Sequence, residues 1–233
     1  MKIALLGYGR MGKTIEKIAI ERGHDIVLKI DNNHTKFNIR QAEIAIDFSD
    51  PSAAYNNLLN CIENDVPVVC GTTGWLSKFD KIVDFCNNKG GAFIYASNFS
   101  VGVNLFFNLN AYLAKMMKNI KGYEVDMEEI HHIHKLDAPS GTAITLAEKI
   151  IENSIKNQWK LDKTSKNDLM IHVKREGEVP GTHSIQYKST VDAIEIKHTA
   201  FNREGFALGA VIAAEWLVDK KGVFTMKDVL DIH

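Results

Sequence analysis

The chain has 233 residues, 45% of them hydrophobic and 24% charged, with a formal net charge of −1. That size can bury one large core or two smaller ones, and the near-neutral balance excludes the basic footprint of a general nucleic-acid binder. No apolar run approaches the ~20 residues that span a bilayer, and the apolar stretch in "MKIALLGYGR" falls short of the roughly 7 to 15 residues in a secretory signal core.

Lys2 to Leu6 is mostly apolar and reads as a strand buried on both faces. The turn "GYGRMG" follows, then a helix with Ile15, Ile18, Ala19 and Arg22 at helical spacing, stopped by Gly23. "DIVLKID" is a second strand and, after an Asn-rich stretch, "AEIAIDF" a third. Asp50 as cap and Pro51 at the first helical position start a helix over "SDPSAAYNNLLNCIEN". "VPVVC" is a fourth strand, "KFDKIVDFCNN" a helix and "AFIYA" a fifth strand. Strands alternating with helices across short links predict a parallel, doubly wound sheet. The cysteines Cys61, Cys70 and Cys86 are odd in number and lack C-x-x-C spacing. They are expected to stay reduced in a cytoplasmic protein, with Cys70 a small apolar filler on a buried strand.

The pattern changes after Asn98. "GVNLFFNLNAYLAKMM" reads as one long helix, "YEVDMEEIH" alternates like a half-exposed strand, and "GTAITLAEKIIENSI" is a further helix. "DLMIHVKRE", "THSIQYKS" and "AIEIKHTA" read as antiparallel strands, and "FALGAVIAAEWLVDKK" as a last helix with small residues on its buried side. The expected architecture is α/β: a Rossmann-like doubly wound parallel sheet with an inserted α+β domain. Residues 1–100 and 204–233 form the dinucleotide-binding domain in this reading, and 101–203 the domain for substrate binding and oligomerisation.

Gly7, Gly9 and Gly12 form a G-x-G-x-x-G pattern directly after a strand and opening a helix. Gly7 permits the tight turn, Gly9 lets backbone approach a pyrophosphate, and Gly12 allows close helix–strand packing. The helix start adds free amides and partial positive charge. Asp31 ends the second strand about 20 residues on, where an acid accepts hydrogen bonds from a ribose 2'-hydroxyl; the plain alternative is a cap in the turn "DNNH". The loops "DFS", Asp47 to Ser49, and "CGTTGW", Cys70 to Trp75, lie where such a sheet presents ligands, though ordinary turn chemistry explains either alone.

The run "EEIHHIHKLDAPSGTA", residues 128 to 143, concentrates histidines, a lysine and carboxylates before a helix start. It matches neither H-x-E nor H-E-x-x-H, and the ammonium of Lys135 repels a dication, so no metal is expected. On a strand, His132 and His134 share a face and His131 points away. Acid–base work on an anion fits better: His131 delivers a proton near neutral pH, Lys135 pairs with a carboxylate, and Gly141 and Thr142 offer amides and a hydroxyl. The bland alternative is a polar strand end capped by Asp137 or Ser140.

This run resembles the E-x-x-H-H-x-x-K-x-D-A-P-S-G-T-A signature of the 4-hydroxy-tetrahydrodipicolinate (dihydrodipicolinate) reductase family. "GYGRMG", "DFS", "GTTG", "ASNFSVGVN", "REGEVPGTH" and "FALGAVIAAEWL" fall in the family's order, so the resemblance spans nearly the whole chain. It implies hydride transfer from NADH or NADPH to a cyclic imine dicarboxylate in lysine and diaminopimelate biosynthesis. His131 is then the proton donor and Lys135 the second catalytic residue. His132, Lys135, Gly141 and Thr142 hold the substrate carboxylates. Gly7, Tyr8, Gly9, Arg10, Met11 and Gly12 lie against the cofactor, with Asp31 on the adenosine ribose. Gly71, Thr72, Thr73, Ala96, Ser97, Asn98 and Phe99 flank the nicotinamide. The resemblance also implies a homotetramer whose two domains close on ligand. Two departures stand out: the segment after Asp31 is short, and Asn32 follows where the family often has an arginine for a 2'-phosphate. Arg10 and Lys36 are the basic residues that could take that arginine's place, and the expectation tips toward NADH. The rival readings are a non-catalytic dinucleotide-binding regulator, which needs the glycine turn but not the 131–142 constellation, and a metal-dependent hydrolase.

Overall fold

Strand β1 (Lys2–Leu6) leads into α1 (Arg10–Glu21), β2 (Asp25–Ile30), β3 (Ile44–Asp47), α2 (Pro51–Glu63), β4 (Val68–Cys70), α3 (Phe79–Lys89) and β5 (Ala92–Tyr95). This computed structural model describes residues 1–31, 37–162 and 165–232. Local chemistry sets the helix ends. Gly23 leaves α1 at φ +82 and Gly90 leaves α3 at φ +64, conformations open to glycine. The Asp50 side chain accepts from Ser52 N at 2.8 Å with Pro51 at the first helical position of α2.

The chain continues through α4 (Val101–Met117), β6 (Glu124–His131), α5 (Gly141–Glu152), β7 (Gln158–Lys160), β8 (Asp168–Arg175), β9 (Gly181–Lys188) and β10 (Ala193–Ala200), then α6 (Glu204–Leu217), β11 (Gly222–Phe224) and α7 (Met226–Val229). It divides into two compact units, Met1–Val101 with Glu204–His233, and Gly102–Arg203. No described helix is long and apolar enough to cross a membrane.

The first unit holds a six-stranded parallel sheet in the order β11-β5-β4-β3-β1-β2. Its inner strands β1, β3, β4 and β5 are buried, so side chains that alternate between the two faces meet core on each. Ile3, Leu5, Ile44, Ile46 and Ile94 pack on one side with α1 and α6, while Ala4, Leu6, Ala45, Val68 and Phe93 pack on the other with α2 and α3. The three cysteines are buried thiols in this unit. The small residues of α6 have a steric reason: a Cβ on Gly209 would stand 1.7 Å from the Phe99 carbonyl oxygen. Strand β11 and helix α7 extend the unit beyond the elements read from the sequence.

The second unit holds a five-stranded sheet in the order β10-β9-β6-β8-β7. The three strands read as antiparallel do alternate in direction, but they are not consecutive neighbours, because β6 lies between β9 and β8. β9 pairs antiparallel with β6 and β10, but β8 runs parallel to β6, and β7 runs parallel to β8. The connection from β6 to β8 passes through α5, a crossover that imposes parallel direction, whereas alternation along a strand carries no directional information. One sheet face meets α4 and α5 in a core of Phe106, Leu113, Val125, Met127, Leu146, Ile150, Leu169, Ile171 and Ile185.

Candidate active site

In the first sheet, β1 lies between β3 and β2, so the chain reverses its winding at β1. Ligands bind beyond the carboxyl ends of strands at such a switch point. A cleft of about 440 Å³ opens there, lined by Gly7, Tyr8 and Gly9 after β1, Asp31 after β2, and Phe48, Ser49 and Asp50 after β3. The three glycines divide the work. A Cβ on Gly7, which sits at φ +94, would lie 2.1 Å from the Phe48 carbonyl oxygen, and one on Gly12 would lie 2.3 Å from the Gly7 oxygen. Both positions are closed by the protein itself. Around Gly9 nothing lies within 4 Å of such a Cβ, so no protein contact accounts for a glycine there. The open space would admit a pyrophosphate, and the first turn of α1 has no acidic residue to repel one. The cradle therefore fits a dinucleotide.

The other expected cofactor residues are distributed differently. Arg10 opens α1 and is exposed, and Met11 packs on the core shared with α6. Gly71 to Thr73 and Ala96 to Phe99 follow β4 and β5 and do not line this cleft. Phe99 is 1% exposed, with its ring 5.9 Å from that of Phe48, so its side chain is a packing element. The Thr72 hydroxyl is committed to Asp47 at 2.5 Å and accepts from Ser49 N at 2.8 Å. The buried Asp47 carboxyl also accepts from Asn57 at 2.8 Å and from the Ser49 hydroxyl at 3.0 Å. Burial pushes this carboxyl up from its ordinary pKa, and the hydrogen bonds from Thr72, Asn57 and Ser49 oppose that rise. Asn32 and Lys36 lie outside the described residues.

The histidine run ends β6. His131 is its last residue and is buried, whereas His132 is half-buried and His134 exposed. Sheet register then adds residues that local sequence does not reveal: His183 on β9 stands across from Glu129, and Arg175 on β8 stands across from His131. Glu129 is fully buried. Its Oε1 accepts from both Nη atoms of Arg175 at 3.2 Å, and its Oε2 accepts from Ser140 N at 3.0 Å. Arg175 also donates to the carbonyls of Lys135 at 3.2 Å and Asp137 at 2.6 Å, which fastens the loop carrying Lys135. The His183 ring nitrogen Nε2 lies 3.2 Å from the Ser140 hydroxyl, and the His131 and His183 rings are 5.1 Å apart.

Ser140 is the cap of α5, its hydroxyl accepting from Ala143 N at 3.1 Å. Asp137 is not a cap; its carboxyl takes the Lys135 ammonium at 2.8 and 2.9 Å. That pair holds the Asp137 carboxyl below its usual range. Gly141 begins α5, and nothing lies within 4 Å of a Cβ built on it. Thr142 follows it on the same first turn, half-buried. The open turn suits an anion.

Burial pushes the His131 imidazole below its ordinary pKa; Glu129 opposes that shift, while Lys135 and Arg175 reinforce it. His183 is pushed down to about 4, by burial first and then by the neighbouring His131. Among the described residues, Glu129, His131 and His183 bring ligand-type atoms within 4.8 Å of one another. A dication fits them poorly, because both Glu129 oxygens already accept hydrogen bonds and two cations, Arg175 and Lys135, act on the same group.

Comparison with known proteins bears on both units. Residues 102–230 match the family model described as dihydrodipicolinate reductase, C-terminus, and residues 36–99 match that described as dihydrodipicolinate reductase, N-terminus. A Christiangramia forsetii protein named 4-hydroxy-tetrahydrodipicolinate reductase is 57% identical over 233 residues, covering 99% of this chain and 98% of its own. A protein of that name from Archaeoglobus fulgidus is 35% identical over 263 residues, covering 99% of this chain and 100% of its own. A dipicolinate-bound dihydrodipicolinate reductase from a Paenisporosarcina species shares the fold, with a TM-score of 0.81 at 20% identity over 97% of each chain.

Proposed function

The chain belongs to the dihydrodipicolinate reductase family of nicotinamide-dependent oxidoreductases, and from that premise we propose that it reduces 4-hydroxy-tetrahydrodipicolinate to tetrahydrodipicolinate in lysine and diaminopimelate biosynthesis. The first unit holds the cofactor and the second holds the substrate. The observation that carries this reading is the grouping of the buried His131, the Lys135 ammonium and the open first turn of α5 around one end of β6.

A bound reduced nicotinamide supplies the hydride in this reaction. Gly9 admits the pyrophosphate, the amides of the first turn of α1 neutralise it, and Asp31 accepts from the adenosine ribose. Lys135 leaves Asp137 for one substrate carboxylate, and Gly141 and Thr142 take a carboxylate at the start of α5, with His132 beside them. Negative charge grows on the conjugated ring as it is reduced. The Lys135 ammonium and the His131 imidazolium stabilise that charge more than they stabilise the starting imine, which lowers the barrier. His131 then delivers the proton that completes the reduction.

NADH is the preferred cofactor. Among the described residues the cleft presents two carboxyls, Asp31 and Asp50, and no basic side chain. The nearby Lys29 is engaged by Glu16 and stands over the Tyr8 ring. A carboxyl in that cleft suits the 2'-hydroxyl of an adenosine ribose, which donates to it. The homotetramer and the cytoplasmic location belong to the same proposal, supported by the exposed apolar stripe of Leu105, Leu109, Tyr112 and Met116 on α4 and by three buried free thiols.

The test follows absorbance of reduced nicotinamide with freshly generated substrate, using each cofactor in turn. Both are expected to be consumed, with the higher kcat/KM for NADH. No consumption of either overturns the activity, and a higher value with NADPH overturns the cofactor assignment alone.

A further inference from the structure

We propose that Glu129 is the positioning residue for His131, fixing its Nδ1–H so that the catalytic proton leaves from Nε2. The inference rests on the reading of His131 as proton donor and assigns the atom and the partner that reading leaves open.

Three features of the structure converge on it. The first is the ring itself. His131 Nδ1 is buried and has no hydrogen-bond partner, and Glu129 Oε2 lies 3.6 Å away. That separation is beyond hydrogen-bond range, so the carboxylate acts on the ring through its charge, and such contacts tighten when a ligand fills the site. With the neutral ring protonated on Nε2, the Nδ1 lone pair would face a carboxylate in a buried, low-dielectric place. Protonation on Nδ1 removes that repulsion and leaves Nε2 as the exchanging atom.

The second feature is that Glu129 has no freedom to move aside. Both Nη atoms of Arg175 hold Oε1, and the Ser140 amide holds Oε2. The third is space at the opposite side of the ring. A Cβ built on Gly181, the first residue of β9, would lie 3.1 Å from His131 Nε2 and 3.3 Å from Cδ2. The missing side chain keeps a methyl off the Nε2 edge of the ring, while Nδ1 faces the carboxylate.

The charged groups around the ring act on it in both directions. Glu129 and Asp137 favour the protonated ring, and Lys135 and Arg175 disfavour it. From β9, His183 stands 3.8 Å from Glu129 Oε2, and His198 on β10 acts on His183. His183, held down to about 4, is neutral at working pH and does not compete with His131 for the carboxylate's charge.

The proton ledger is simple. The Nε2–H bond of the imidazolium breaks, its electron pair stays on Nε2, and the proton goes to the substrate atom that bears the negative charge after hydride addition. The ring is left as the neutral Nδ1–H tautomer and regains its proton from solvent.

The test reads the histidine rings by ¹⁵N NMR on the full chain, without activity. In the native protein neutral His131 is expected as the Nδ1–H tautomer. Glu129→Gln is expected to move the His131 titration to lower pH, and Glu129→Asp, which keeps the charge, to restore much of it. In turnover, the falling limb of kcat/KM for Glu129→Gln moves to lower pH, with a loss of roughly tenfold or more at pH 8 that acidification recovers. A structural defect alone would lower activity at every pH. An Nε2–H tautomer in the native protein overturns the inference even if the variant fails to fold, and so does an unmoved His131 titration in a folded Glu129→Gln. An unimpaired His131→Gln overturns the donor reading itself, whatever Glu129 does to the ring.

Discussion

Alanine at position 9 is expected to damage cofactor binding while leaving the fold intact, and alanine at position 7 to do the reverse in order of severity. The contrast comes from the geometry. A Cβ at Gly9 meets no protein atom within 4 Å, and Gly9, at φ −81 and ψ −152, is extended backbone outside the left-handed region. The substitution's effect on stability should stay within about 0.5 kcal/mol. The added methyl occupies the cleft that Gly9 lines, where a pyrophosphate must approach the backbone. An overpacking cost of about 1–3 kcal/mol there corresponds to roughly a 5- to 150-fold weaker Kd. Gly7→Ala instead drives a methyl to 2.1 Å from the Phe48 carbonyl oxygen at φ +94, and strain of about 1–3 kcal/mol falls on the folded state. Urea unfolding and a fluorescence titration with NADH measure the two quantities separately. Full NADH affinity in Gly9→Ala, or a stability loss in it equal to that of Gly7→Ala, would refute the division of roles between these glycines.

Lys135→Gln removes a charge-assisted contact worth about 1.5–3 kcal/mol, so steady-state kinetics should show kcat/KM lowered roughly 10- to 150-fold, with KM for the dicarboxylate raised; a change confined to cofactor affinity would contradict the assignment. His183, held to about 4 in the folded chain, returns to ~6.5 on unfolding. Between those values the unfolded chain binds more protons, so stability is complete above ~6.5 and falls by at most about 3 kcal/mol as pH drops toward 4. His183→Gln should flatten that slope in denaturation series, and an unchanged slope would show that another group carries it. Asp47→Asn replaces acceptors with an amide N–H₂ facing the donors Thr72, Ser49 and Asn57, and thermal or urea unfolding should register a loss of about 1–3 kcal/mol. An unaltered midpoint would mean that the loops after β3 and β4 do not depend on this network.

The first sheet was legible because parallel strands buried on both faces leave continuous apolar runs, as in β1 and β3, and because Asp50 and Pro51 mark a helix start by local chemistry. The three-residue strands β7 and β11 escaped because so short a segment has no period to read. The parallel pairing of β8 with β6 escaped for a different reason. It follows from the crossover through α5, which is a property of the fold and not of the strand.

The candidate site divides along the same line. The run 128–143 gathers His131, Lys135 and Gly141 within one loop and its flanks, so adjacent sequence exposes them. Arg175 reaches Glu129 from 46 residues away, and His183 reaches Ser140 from 43. Only pairing register brings them together. A signal for His183 did exist in "THSIQYK": it shares a strand face with Ile185 and Tyr187, two core residues, and a histidine on an apolar face calls for a partner. Phe48, Ser49 and Asp50 were marked by the position of their loop, but that a cleft forms above them depends on where β3 lies in the sheet.

The most direct measurement of the central claim is single-turnover oxidation of NADH by His131→Gln with freshly generated substrate, alongside its affinity for NADH. Loss of a general acid predicts a rate lower by roughly 10²–10⁴ with NADH binding unchanged. Native turnover in that variant would contradict the account, because no proton would then need to come from this ring.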